Sequence, residues 1–283
     1  MNKLSVVDIQ IIDKCNRKCR YCFGPRPNKD ILSYDTIRNI LDEMSLNQIN
    51  NLSITGGEPL MHPDIKGILS YAKEKDFNIS LSTNTDFFKN NTELLKYIDI
   101  LGIPLDSSVM EEHDRVRGNG SYNSVIDTIK YIEHNGSCDV RIGTVLSNNN
   151  KKDIKSIANI IKKYECIKVW RIYDELKYGY KNDKLIIENQ INENIMMEVS
   201  KMLNKKEVTY VSRRNRNLGY FIIEPDGQVF MPMISEKRDY KNYIGDIYRD
   251  SFKKLLKVWN KLCDANNHTN MNLNIFKEIN NGK

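Results

Sequence analysis

Asp13-Lys14-Cys15-Asn16-Arg17-Lys18-Cys19-Arg20-Tyr21-Cys22-Phe23 places three cysteines in CxxxCxxC spacing. The stretch follows directly on residues 4–12, an apolar, β-branched run that reads as a first strand. Three thiolates on a short loop can hold three irons of a cubane and leave the fourth iron without a protein ligand, whereas electron-transfer clusters take four cysteines. An open iron invites a small-molecule chelate, much as an open zinc position marks a catalytic site. A structural zinc knuckle and three reduced, unligated thiols are the other readings. A structural zinc needs four ligands, usually with a second CxxC or His pair downstream, and none follows. His62, in Leu60-Met61-His62-Pro63-Asp64, is the nearby residue that could supply a fourth.

Outward from the triplet, strand-like and helix-like stretches alternate. Strands are expected at 4–12, 51–55, 78–82, 98–103, 139–146 and 168–173, and helices at 33–45, 64–75, 122–134 and 152–164. This order predicts an α/β fold with a parallel sheet, curled or open, and helices outside. After residue 183 the pattern changes. A helix at 191–203 precedes an antiparallel hairpin, 219–224 and 228–231, about a Pro-Asp-Gly turn, and an amphipathic helix covers 251–262. The expected organisation is a core at 1–183, a C-terminal α/β cap at 184–266 and a polar tail at 267–283.

Composition narrows the class. In 283 residues, 40% hydrophobic and 28% charged, the chain is that of an ordinary globular protein. No apolar run reaches the roughly 18 residues needed to cross a bilayer, and no secretory signal opens the chain, so a cytoplasmic protein with no membrane partner is expected. The net charge of +6 is spread along the chain and does not by itself mark nucleic-acid binding. The other cysteines, Cys138, Cys166 and Cys263, stand alone and read as inert thiols. Crowding of the first three points to metal in a reducing compartment, not to a disulfide scaffold.

CxxxCxxC with an aromatic residue, Tyr21, before the last Cys resembles the signature of the radical S-adenosylmethionine (SAM) superfamily, and the similarity runs from residue 5 to about 260. The resemblance implies a partial (β/α)6 barrel, a [4Fe–4S] cluster on Cys15, Cys19 and Cys22, and SAM chelated to the open iron. It also implies reductive cleavage of SAM to a 5′-deoxyadenosyl radical that abstracts hydrogen from substrate. Gly56-Gly57-Glu58-Pro59, after the second strand, is similar to the family's segment for the SAM amino group. Adjacent glycines let backbone come close, and a carboxylate pairs with an ammonium. Ser82-Thr83-Asn84 resembles the ribose-contacting segment, with Thr85 where relatives carry Gly. Arg117, with Arg115 as its neighbour, falls where the family binds the methionine carboxylate. Pro104 stands where relatives often carry a carboxylate-holding Ser, so that grip is expected from neighbours such as Ser107. Residues 140–145, with Ile142 and Gly143, match the segment lining the adenine. Most of these motifs fall at or just beyond the C-terminal ends of strands, where α/β barrels carry their sites.

The C-terminal third bears on substrate. Residues 222–233 and 244–247 resemble a SPASM or twitch extension, but Met233 stands where its first cluster ligand belongs and only Cys263 lies beyond, so no auxiliary cluster is expected. With residues 113–132, this skeleton is similar to enzymes that modify ribosomally made peptides. Because the first strand begins at residue 4, such a substrate is expected to need a separate leader-recognition protein. Trp170-Arg171-Ile172-Tyr173 and residues 211–220 resemble viperin-like nucleotide enzymes instead. There Arg141 and Arg171, with Arg213, Arg214 or Arg216, would clamp a triphosphate. The Arg run also reads as a solvated loop, and Arg141 and Arg171 as partners of barrel carboxylates. A flavodoxin or ferredoxin would supply the electron. A zinc-stabilised, non-catalytic binding module is the reading from another class.

Overall fold

Ten strands and seven α-helices succeed one another in the computed structural model, which describes residues 4–25, 28, 30–175, 191–212, 219–233 and 240–265. In chain order they are β1 (Val6–Gln10), α1 (Tyr34–Leu46), β2 (Asn51–Thr55), α2 (Ile65–Glu74), β3 (Asn78–Ser82), β4 (Ile100–Pro104), α3 (Met110–Arg117), α4 (Ser121–Asn135) and β5 (Asp139–Leu146). Then come α5 (Ile154–Ile161), β6 (Ile167–Asp174), α6 (Glu193–Met202), β7 (Glu207–Val211), β8 (Ile222–Ile223), β9 (Gln228–Met233), β10 (Tyr240–Asp246) and α7 (Phe252–Ala265). The helices form for local reasons. In α1, Ser33 caps the start by accepting from the Thr36 N–H, and Ile37, Ile40, Leu41 and Met44 recur at helical spacing and are buried.

The chain divides into two compact units, Met1–Cys15 with Gly24–Leu81 and Arg214–Lys283, and Asn16–Phe23 with Ser82–Arg213. In the first, β1, β2 and β3 run parallel, β8 joins β1 in parallel, and β8, β9 and β10 form an antiparallel meander. In the second, β4, β5, β6 and β7 are all parallel. Three elements go beyond the sequence expectations. Helix α3 buries only His113 and Val116 and so shows no apolar period. Strand β7 extends the parallel sheet of its unit, and β10 adds a third strand to the expected hairpin.

The faces of these sheets differ in chemistry. In the first unit Val7, Ile9, Leu52, Ile54, Ile79 and Leu81 are buried on one face. On the other, the paired rows carry Asp8–Ser53–Ser80 and Gln10–Thr55. Parallel sheets covered on both sides are ordinarily apolar on both. Here one face is polar, and Gln10 Oε1 and Ser80 Oγ are buried without a hydrogen-bond partner among the described residues. A face of this kind suits a polar ligand or water better than a dry core.

Candidate active site

The cysteine loop leaves β1 and returns to α1 through main-chain contacts. Ile12 and Ile31 form an antiparallel bridge, the Leu32 N–H donates to the Ile11 carbonyl, and the buried Asp13 carboxylate accepts from the N–H groups of Asn28 and Asp30. The loop is thus closed at its base. Along its first residues runs the segment after β2. The Gly57 N–H donates to Ile12 O (2.6 Å) and the Glu58 N–H to Lys14 O (2.9 Å). Gly56 sits at φ +153°, and a Cβ there would lie 2.5 Å from Ile12 O. A Cβ on Gly57 would lie 2.3 Å from Lys14 O and 2.4 Å from Asp13 O. The two glycines are therefore demanded by the approach of one backbone to another, a purpose the sequence reading did not assign them. Glu58 is fully buried, and its Oε1 accepts from the Leu60 N–H at the head of a short 3-10 turn that begins with Pro59.

His62 does not offer a metal ligand. Its Nδ1 accepts from the Asp64 N–H (3.0 Å), which fixes the proton on Nε2, and Nε2 donates to Leu32 O (2.9 Å). Burial lowers its pKa, so the imidazole stays neutral with both nitrogens engaged.

The rest of the cysteine loop belongs to the second unit and is held by side chains. Arg17 meets Asp86 through two bonds, Nε to Oδ2 (2.6 Å) and Nη2 to Oδ1 (2.5 Å), while its Nη1 donates to the carbonyls of Arg117 and Gly118 at the end of α3. A guanidinium there caps the helix and meets the negative end of its dipole. Asn16 donates to Asp86 and accepts from Asn84, whose Oδ1 accepts from the Asp86 N–H. The Cys19 thiol donates to Arg117 O (3.6 Å), and the Cys22 N–H to Cys19 O. Tyr21 is half-buried; burial raises its phenol pKa, and hydrogen bonding to Ser147 offsets this in part. Thr85, at the position of the family's Gly, keeps the conformation a Gly would take, φ +74°. For a β-branched residue that costs about 1–3 kcal/mol, set against its hydroxyl donating to Ser124.

Arg117, half-buried, meets the buried Asp106, Nε to Oδ2 at 2.5 Å. Burial works against its charge, but the Asp106 carboxylate and the nearby Cys19 sulfur outweigh that and raise its pKa. Asp106 also accepts from the Val145 N–H (2.7 Å), joining α3 to the end of β5. Beside it His113 is wholly buried, with its pKa lowered by burial to about 4. The Ser107 hydroxyl donates to Asp153 and accepts from the Val109 N–H. It is therefore not the spare donor that the sequence reading looked for beside Pro104.

Along β5 and β6 the residues alternate between faces. Arg141, Gly143, Arg171 and Tyr173 share one face with Gly102, and Arg141 crosses Gly102 to donate from Nη2 to Ser82 Oγ (3.1 Å). Ile142 lies on the opposite face beside Trp170, so it can meet a ligand only through its main chain. Arg213, Arg214 and Arg216 lie outside the described residues. Arg17, Asp86 and Asp106 were missed as site-builders by sequence reasoning. Their partners lie 69 residues away for Arg17 and 11 for Asp106, and a single sequence carries no sign of such pairings.

The residues present fit a cluster with one open iron. Three partly exposed thiols sit on one loop, and the Arg117 guanidinium lies beside the Cys19 sulfur. No group of three or more His, Cys, Asp or Glu side chains is drawn together among the described residues. Cys138 and Cys166, by contrast, are pushed by burial to about 12 and Cys263 to about 11, far from thiolate at neutral pH.

The model of the radical SAM superfamily matches residues 9–161. Mycofactocin maturase MftC of Mycobacterium tuberculosis is 27% identical over 156 residues, 53% of this chain and 40% of that protein. GTP 3′,8-cyclase of Clostridium botulinum is 28% identical over 172 residues, 57% of this chain and 54% of that protein. The matches thus span about half the length of these curated relatives. Among solved structures, Streptococcus suis SuiB bound to precursor peptide SuiA superposes with a TM-score of 0.73 at 18% identity, covering 92% of this chain and 65% of that one. That likeness shows the fold, the mostly parallel α/β architecture that the sequence led us to expect. No helix among the described residues is long and apolar enough to cross a membrane.

Proposed function

The chain belongs to the radical SAM superfamily, and from that premise we propose that it is a radical SAM enzyme acting on a ribosomally synthesised peptide. The observation that carries the enzyme reading is the cysteine loop itself, closed at its base by Asp13 and the Ile12–Ile31 bridge and overlain by Gly56-Gly57-Glu58. When bound, the [4Fe–4S] cluster and SAM supply reductive cleavage of a sulfonium C–S bond and a carbon radical that takes hydrogen from substrate.

In this proposal Cys15, Cys19 and Cys22 hold the cluster and Arg17 fixes the loop. Tyr21, Gly56, Gly57, Glu58, Pro59, Ser82, Asn84, Arg117, Ile142 and Gly143 surround SAM. The Arg117 guanidinium, aligned by Asp106, faces a carboxylate with the nitrogens that Asp106 does not take. Gly57 offers close backbone and Glu58 a carboxylate for an ammonium. Arg141, Arg171 and Tyr173 face the substrate, and residues 184–266 form the cap over it.

The peptide reading is supported by similarity to a maturase over about half of the chain. It brings with it a separate leader-recognition protein, a flavodoxin or ferredoxin as donor, and a cytoplasmic setting. A nucleotide is the second reading, favoured by the placement of Arg141 and Arg171 on one face and by similarity to a GTP cyclase. The test is anaerobic. Protein reconstituted with iron and sulfide receives SAM and dithionite, and 5′-deoxyadenosine is measured by mass spectrometry. We expect product from the wild type, none from Cys22→Ala, and stimulation by the cognate precursor peptide over nucleoside triphosphates. Normal product from Cys22→Ala would end the enzyme reading, and stimulation by a triphosphate alone the peptide reading.

A further inference from the structure

Arg171 lies in the middle of β6, only 5% exposed. Its Nε is a buried donor without an acceptor, and the guanidinium has neither ion pair nor hydrogen bond among the described residues. A guanidinium cannot shed its proton to escape burial, so a buried one without an anion is costly. The other arginines of this unit's site are differently placed. Arg17 has Asp86, Arg117 has Asp106, and Arg141 reaches Ser82.

The surroundings say which anion would fit. In register, Arg171 stands between Gly143 on β5 and Thr209 on β7. Gly143 puts no side chain over it, and a Cβ built there would meet nothing closer than the Tyr173 ring at 3.5 Å. Gly143 therefore contributes no side chain beside Arg171. On the other side, two residues before Thr209 and on the same face, stands Glu207. Its Oε1 accepts from the Thr209 hydroxyl, and its Oε2 is buried without a donor. A lone guanidinium with no carboxylate bound to it suits a single negative charge. It suits a triphosphate less well, because several charges need several cations.

We infer that Arg171 anchors a subsite for one carboxylate of the substrate, an acidic side chain or a chain terminus, with the Thr209 hydroxyl as neighbour. This deepens the peptide proposal and rests on it for the word substrate. The same chemistry could come from the methionine carboxylate of SAM, and the experiment separates the two.

Arg171→Met and Arg171→Lys are prepared as reconstituted holoenzymes. Three quantities are measured: thermal midpoint without ligand, SAM affinity, and the gain in midpoint from N-acetylglutamate over its neutral amide, N-acetylglutamine. The ligand-free midpoint of Arg171→Met should equal or exceed that of the wild type, because an unpaired buried charge has gone. SAM affinity should stay within about threefold. The acid should stabilise the wild type more than the amide does, Arg171→Lys should keep part of that preference and Arg171→Met none. A large fall in the ligand-free midpoint of Arg171→Met would show a structural partner and overturn the inference. A tenfold loss of SAM affinity, about 1.4 kcal/mol, would hand Arg171 to SAM and overturn it equally. No preference for the acid in the wild type would also overturn it. Should no peptide stimulate 5′-deoxyadenosine while the acid still binds through Arg171, the peptide proposal fails and the carboxylate subsite stands for another acid.

Discussion

In the unit that carries β1 and β2, the first residues of the cysteine loop are held by main chain against main chain; in the unit that carries β4–β7, the following residues are held by side chains against side chains. The first arrangement has no tolerance. Gly56 and Gly57 lie so near the carbonyls of Ile12, Asp13 and Lys14 that a single methyl group would collide with backbone. The second is a set of ion pairs and polar contacts, Arg17 with Asp86, Arg117 with Asp106, Asn16 with Asn84, each adjustable by rotamer. Backbone packing sets position, while the charged pairs set position and electrostatics together. The difference teaches where a mutation should abolish the site and where it should only retune it.

The largest effect is expected at Gly57→Ala. Overpacking against fixed backbone costs about 3 kcal/mol, which lowers the thermal midpoint by roughly 6–12 °C in a chain of this size. Iron bound per chain after reconstitution should fall close to zero, and retention of full iron would break the contrast at its stronger end. Next comes Asp106→Asn. It leaves the half-buried Arg117 guanidinium without its carboxylate and should cost about 3 kcal/mol, with SAM affinity down at least tenfold and iron content largely kept. Iron loss equal to that of Gly57→Ala would show that the two units do not differ as described.

A pH series sharpens the second unit further. His113 titrates at about 4 in the folded protein and near 6.5 unfolded, so the unfolded state binds more protons between those values. Its contribution is complete above pH 6.5 and declines as pH falls toward 4, by up to about 3 kcal/mol. Chemical denaturation of the cluster-free protein should show that slope, and His113→Gln should flatten it. The smallest effect is expected at Thr85→Gly. Relief of a positive φ is set against loss of the Ser124 hydrogen bond, which leaves a change within about 1 kcal/mol either way. A loss of more than twice that, seen in the same denaturation series, would mean that the Thr85 hydroxyl holds the loop in a way its geometry does not show.

The six core strands were legible because alternating apolar residues and turn residues are local signals, and β2, β3 and β5 match their expected bounds. Helix α3 was not, since Met110-Glu111-Glu112-His113-Asp114-Arg115-Val116-Arg117 has too few apolar residues to show a period. Strand β10, rich in Tyr, Lys and Asn, lacks a buried stripe for the same reason. At the site, the motif residues could be read because their chemistry is concentrated in short words. Asp86 and Asp106 could not, because each is an ordinary acidic residue until folding sets an arginine beside it. The glycines have a neighbour that the sequence did not show: their spacing signals close approach, but only the fold shows an approach to residues 12–14.

The central claim is that Cys15, Cys19 and Cys22 hold a cluster whose remaining iron is open to SAM. Electron paramagnetic resonance of the dithionite-reduced, reconstituted protein, recorded with and without SAM, tests it most directly. The account predicts the signal of a reduced [4Fe–4S] cluster in the wild type that changes shape when SAM is added, and its loss in Cys22→Ala. A cluster signal in the wild type that SAM leaves unaltered, or one that survives in Cys22→Ala, would contradict it.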